Sequence, residues 1–118
     1  MNSTTSTTSS LSSIVKSLND ARWAAIEAED RAEHYQVLLR CLTDETATQK
    51  PTFEQIREAI AGARQTTDAL REAEAARDDL RREASALAES MTDADVDAAI
   101  KTAMGIFSTG ATRARLGF

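Results

Sequence analysis

Between Leu11 and Leu42 the apolar positions return at helical intervals. Residues 14, 18, 21, 25, 28, 32, 35, 39 and 42 follow alternating steps of four and three and read Ile, Leu, Ala, Ala, Ala, Ala, Tyr, Leu, Leu. That is a heptad seam with bulky ends and a small middle. Val15, Trp23, Ile26, Val37 and Leu38 fall outside it, so the helix is apolar over more than one narrow stripe and calls for a second neighbour.

The polar stretch TDETATQKP at 43–51 breaks the pattern, and Pro51, which cannot donate a backbone hydrogen bond, marks a turn. Thr52 stands three residues before Gln55, the spacing of a capping box. A second helix therefore starts here and runs to about Met91, with its own seam through Ile56, Ala59, Ala63, Thr66, Leu70, Ala73, Arg77, Leu80, Ala84, Leu87 and Met91. Folding the two helices about the turn sets Ile56 opposite Leu39, Ile60 opposite Tyr35, Ala63 opposite Ala32 and Leu70 opposite Ala25, and brings Leu80 to Ile14 or Val15.

Small side chains line the middle of this pairing from both sides and let the backbones approach closely. Gly62 sits in the helix interior, where glycine costs about 1 kcal/mol relative to alanine. It reads either as a further concession to close approach or as a kink. Arg77 interrupts the apolar seam near Asp20, which predicts an ion pair that fixes the register. Opposite charges at helical spacing (Glu27 with Arg31, Asp68 with Arg71, Glu74 with Arg77, Asp78 with Arg82) mark a solvated face.

After Met91, Thr92 or Asp93 can cap a short third helix whose apolar face is Val96, Ile100, Ala103, Met104 and Phe107. The open end of the hairpin exposes Leu11, Ile14, Val15, Leu80 and Leu87, and the short helix is expected to fold back onto it. The predicted fold is all-α: a long antiparallel two-helix hairpin, coiled-coil-like with an Ala-rich seam, plus a short third helix and flexible terminal arms. Residues 1–10, which include an unbroken Ser/Thr run, form a disordered arm in this reading; 11–107 form the hairpin and third helix; 108–118 form a flexible, weakly basic C-terminal arm.

Composition narrows the class. Of 118 residues 42% are apolar, yet only one Trp, one Tyr and three Phe are present, so large core side chains are scarce and helix formers abound. A net charge of -5 with a pI near 4.9 weighs against general binding to nucleic acid or anionic membrane. Cys41 is the sole cysteine and reads as an ordinary small apolar residue in a reducing compartment. No apolar run approaches the roughly 20 residues of a membrane span, and no secretory signal is apparent. The expectation is a soluble protein, cytoplasmic or within an assembled particle.

Candidate chemistry does not survive its own spacing. Asp93, Asp95 and Asp97 open like a calcium loop, but Ala98 stands where the sharp turn needs glycine and Met104 where a bidentate Glu belongs; helix capping accounts for these residues better. His34 and Cys41, seven residues apart, would lie about 10 Å from each other on a straight helix, beyond hydrogen-bond reach. The acids are interleaved with arginines, and no glycine-rich phosphate loop is present. Neither catalytic residues, a metal site nor a cofactor is expected, and the chain is not read as an enzyme.

The functional expectation is a structural or assembly subunit acting through helical packing and terminal arms, as a homo-oligomer or within a larger assembly such as a virus or phage particle. In plan the chain is similar to phage scaffolding proteins, which are acidic and helical with a short basic coat-binding C-terminal portion; the likeness is one of layout, without a shared motif. Trp23, Ile26, Phe107, Arg113, Arg115, Leu116 and Phe118 are the expected partner-binding residues. The alternatives are a small acidic helical inhibitor or adaptor for one partner protein, for example an antagonist of a host defence system, and a type III secretion-related subunit, to which the Ser/Thr-rich N-terminus would suit.

Overall fold

The computed structural model describes residues 3–46, 48–105 and 110–117, with the side chains of 3–6 and 110–112 outside the description. Four helices follow one another: α1 (Ser3–Leu42), α2 (Phe53–Glu89), α3 (Asp93–Met104) and α4 (Gly110–Leu116). The fold is an all-α helical hairpin with two short helices added. The chain divides into two compact units, one formed by residues up to Arg22 together with those from Ala75 onward, the other by Trp23–Glu74.

The turn between α1 and α2 is built as its sequence predicts. The Thr52 backbone N–H donates to Gln55 Oε1 at 2.9 Å, and the Gln55 N–H donates to Thr52 Oγ1 at 3.1 Å. Two orphan amides of the helix start are satisfied reciprocally. Thr52→Ala is therefore expected to cost about 1 kcal/mol in urea denaturation, and Thr52→Ser to restore most of it. Before this cap, Asp44 closes a small turn by accepting from the Thr46 backbone N–H at 2.9 Å and the Thr46 hydroxyl at 2.7 Å. Those two bonds hold the exposed Asp44 carboxyl below its ordinary range.

Within Trp23–Glu74, α1 meets α2 through small residues, and Ala25, Ala28, Ala32 and Ala59 are all buried. The register differs from the sequence expectation near the turn. Tyr35 lies against Gly62 instead of Ile60, and Ile60 is 40% exposed. A Cβ on Gly62 would stand 2.7 Å from Tyr35 Cδ1 and overlap Cε1. Glycine is thus the position on α2 that admits the phenol ring, while Ile60, on another side of the helix, stays out of this contact.

In the other unit a contiguous apolar core joins all four helices. Leu11, Val15 and Leu18 come from α1, Ala84 from α2, Val96, Ala99 and Ile100 from α3, and Leu116 from α4. Ile14, Leu80 and Leu87 pack against its edge. The expected return of the third helix to this end is what the structure shows. Val15, outside the α1 seam in the sequence, is fully buried, because α3 and α4 supply the second neighbour that its position demanded.

Thr92 caps α3 in extended backbone (φ -76°, ψ 157°), its hydroxyl accepting from the Asp95 N–H at 3.2 Å. Gly105 ends the helix in the left-handed region (φ 69°), its N–H donating to the Lys101 carbonyl at 2.8 Å. The helix therefore stops at Met104, short of the expected boundary at 107, and Phe107 lies outside the described residues.

At both ends the described backbone is helical. The backbone of the Ser/Thr run from Ser3 is helical and continuous with α1. Adding residues to a helix already anchored by Leu11, Val15 and Leu18 needs no new nucleus, and Ser and Thr lie only a few tenths of a kcal/mol below better helix formers. At the other end, residues 110–116 form α4. Leu116 anchors it in the core.

The predicted Asp20–Arg77 pair does not form. Arg77 turns to its neighbour Asp78 at 3.1 Å, a carboxylate that also receives Arg81 at 3.0 Å. A partner on the same turn can be reached with less loss of side-chain freedom than one on another helix, and Asp20 stays exposed. Among the surface pairs, Glu27–Arg31 forms at 4.0 Å. Arg82 takes Asp79 at 2.9 Å and reaches Asp78 only through that residue's backbone carbonyl. Among the described residues Asp68–Arg71 and Glu74–Arg77 do not pair.

Candidate functional site

Among the described residues the large apolar side chains left in solvent are unevenly distributed. Trp23 (55% exposed), Ile26, Val37, Phe53 (74% exposed) and Ile60 all belong to the Trp23–Glu74 unit. The reason is local. Alanines occupy much of the contact between α1 and α2 there, so several bulky residues of both helices are left outside it.

Trp23, Ile26 and Val37 share one face of α1. With about 3.6 residues per turn, residues 23, 26, 30, 33 and 37 form a single stripe, on the side of the helix away from Ala25, Ala28 and Ala32. Its two central members are Asp30 and Glu33, both exposed, and among the described residues neither enters an ion pair. The stripe reads apolar, acidic, apolar along its length. Beside it lies a shallow depression of about 430 Å³ lined by Ala32, Val37 and Leu70 together with Glu29, Glu33, Gln36 and Arg40.

On α2, Phe53 is partly covered by its own helix, with the Arg57 guanidinium 5.0 Å from the ring centroid. That cation–π contact is worth about 0.5–1 kcal/mol at an exposed site and leaves most of the ring in water. A second depression near the turn is lined by Tyr35, Leu38, Leu42, Gln55, Glu58 and Ala59. It accounts for Leu38, the remaining residue outside the α1 seam, which is half-buried.

The predicted partner-binding residues are thus scattered. Trp23 and Ile26 stand together on the exposed stripe. Arg113, Arg115 and Leu116 lie on α4, in the other unit. Leu116, only 3% exposed, belongs to the chain's own core and is not presented to a neighbour. Arg113 is turned to Asp93 at 3.5 Å, and Arg115 is exposed. Phe107 and Phe118 lie outside the described residues. Val37, Asp30 and Glu33 were missed as candidates, although their spacing from Trp23 and Ile26 is readable in the sequence as a second set of three- and four-residue steps.

Among the described residues no group of three or more His, Cys, Asp or Glu side chains is placed to hold a metal ion. His34 packs edge-on against Tyr35 with ring centroids 5.6 Å apart, and Cys41 is exposed. No described helix is long and apolar enough to cross a membrane. Comparison with protein-family models, with curated proteins and with solved structures finds no match for this chain.

Proposed function

We propose that this protein is a binding subunit of a larger protein complex, acting by helix packing through the Trp23–Glu74 unit. The observation that carries the reading is the segregation of the apolar surface among the described residues: the unit containing α3 and α4 closes a core around Leu11, Val15 and Ile100, whereas Trp23, Ile26, Val37, Phe53 and Ile60 are left exposed on the other. Exposed apolar side chains gathered on one part of a chain mark contact surfaces more often than isolated ones do. An exposed tryptophan has particular weight, since Trp is enriched among the residues that dominate interface energetics.

Native mass spectrometry of material recovered from its source tests the reading. The expected result is a complex containing this chain and at least one other protein chain, lost on Trp23→Ser/Ile26→Ser while the circular dichroism of the isolated variant stays helical. A free monomer at working concentration, or a complex indifferent to that double substitution, would overturn it. Stoichiometry then separates a repeated assembly subunit from an adaptor or inhibitor present in one or two copies.

A further inference from the structure

Resting on that reading, we propose that the stripe Trp23, Ile26, Asp30, Glu33, Val37 receives a helix of a different protein, one that carries lysine or arginine at its centre between apolar residues. The spacing is that of a heptad seam, the form in which one helix packs lengthwise on another. Trp23 and Ile26 supply apolar contact at one end and Val37 at the other, all of it exposed. At the centre, Asp30 and Glu33 occupy the positions that would face a partner's core residues, and neither carboxylate is neutralised within the described chain.

The charge pattern decides the occupant. A second copy of this chain is disfavoured in either orientation: a parallel pairing sets Asp30 against Asp30 and Glu33 against Glu33, and an antiparallel one sets Asp30 against Glu33. Burying carboxylates against each other costs both repulsion and desolvation. A wholly apolar helix would cover both carboxylates and leave them unpaired. A helix with basic residues at its centre satisfies the acids and buries the ends together. The depression beside Glu33 and Val37 fits this chemistry, since Ala32, Val37 and Leu70 in its lining can pack on the stem of a Lys or Arg side chain while Glu29 and Glu33, also in the lining, meet its head. Arg40, in the same lining, limits how far along the groove a second cation can sit.

Trp23 is the only tryptophan in the chain, so its fluorescence reports on this surface alone. The test titrates the full chain with tryptophan-free helical peptides of about three heptads, leucine at the outer core positions and lysine, glutamate or leucine at the two central ones. The expected result is a blue shift of Trp23 emission with the lysine peptide, which binds roughly tenfold or more tightly than the glutamate peptide. Asp30→Lys/Glu33→Lys, with unchanged circular dichroism, should reverse that order.

Equal binding of the lysine and glutamate peptides, or an order that survives the double substitution, would sink the proposal. Tightest binding by the leucine peptide would also overturn it, while leaving the stripe as a contact surface and the proposed function intact. A blue shift that grows with protein concentration in the absence of peptide would overturn it in favour of a second copy. No shift with any peptide would remove the stripe as a helix-docking surface, and the native complex then still tests the broader reading separately.

Discussion

Leu116→Ala is expected to destabilise the protein by about 2–4 kcal/mol, although it alters a residue on the shortest helix, two positions before Phe118. The side chain is 3% exposed and belongs to the same core as Leu11, Val15, Ala84 and Ile100. Truncation removes its transfer free energy and leaves a gap that a helix of only seven residues cannot fill by shifting. An isolated helix of this length is not stable in water, so α4 depends on the contact. Arg115→Ala, at an exposed position on the same helix, should fall within about 0.5 kcal/mol of the parent. Arg113→Ala should cost less than about 1 kcal/mol, because the Asp93 partner is 92% exposed and solvent screens the pair. Equilibrium urea denaturation followed by circular dichroism separates the three. A neutral Leu116→Ala would mean that the C-terminal segment is an arm for another molecule and not a piece of this core.

The C-terminal segment shows where sequence reading stopped. TRARLGF combines two basic residues with isolated apolar ones, and so short a stretch has too few apolar positions to display a helical period. Its burial depends on a slot formed by α1, α2 and α3 together, which no local pattern describes. By contrast, the two long helices, the turn, the Thr52 and Thr92 caps and the return of α3 each rest on local signals: a repeating apolar period, a proline, a hydroxyl at the right distance. The pairing between helices lies between these cases. Its direction follows from the turn, but residue-number sums ignore which side of α2 a position faces, so Ile60 could be paired with Tyr35 on paper although the ring lies against Gly62. The exposed stripe was half legible. Trp23 and Ile26 lie off the seam by simple counting, but that Val15 would find α3 and α4 while Trp23 and Val37 would find nothing depends on where the short helices dock.

Gly62→Ala is expected to destabilise the protein, against the usual direction for that change in a helix. Alanine brings about 1 kcal/mol of helix propensity, which the Tyr35 ring must overcome. A Cβ at position 62 overlaps the ring, and forcing an extra carbon into a packed contact costs about 1–3 kcal/mol. The Thr66 hydroxyl donates to the Gly62 carbonyl at 2.8 Å, a back-bond of the kind that often bends helices. The two accounts of the glycine therefore have to be separated experimentally. If Gly62 serves close approach, the penalty depends on the ring, and in a Tyr35→Ala background Gly62→Ala should become stabilising by about 1 kcal/mol. The double-mutant cycle would then show a coupling above about 1 kcal/mol between residues on different helices. If Gly62 serves a bend, alanine is unfavourable in both backgrounds and the coupling vanishes. Urea denaturation of the four proteins distinguishes these outcomes, and the coupled result would show that Tyr35 and position 62 are in contact across the two helices in solution.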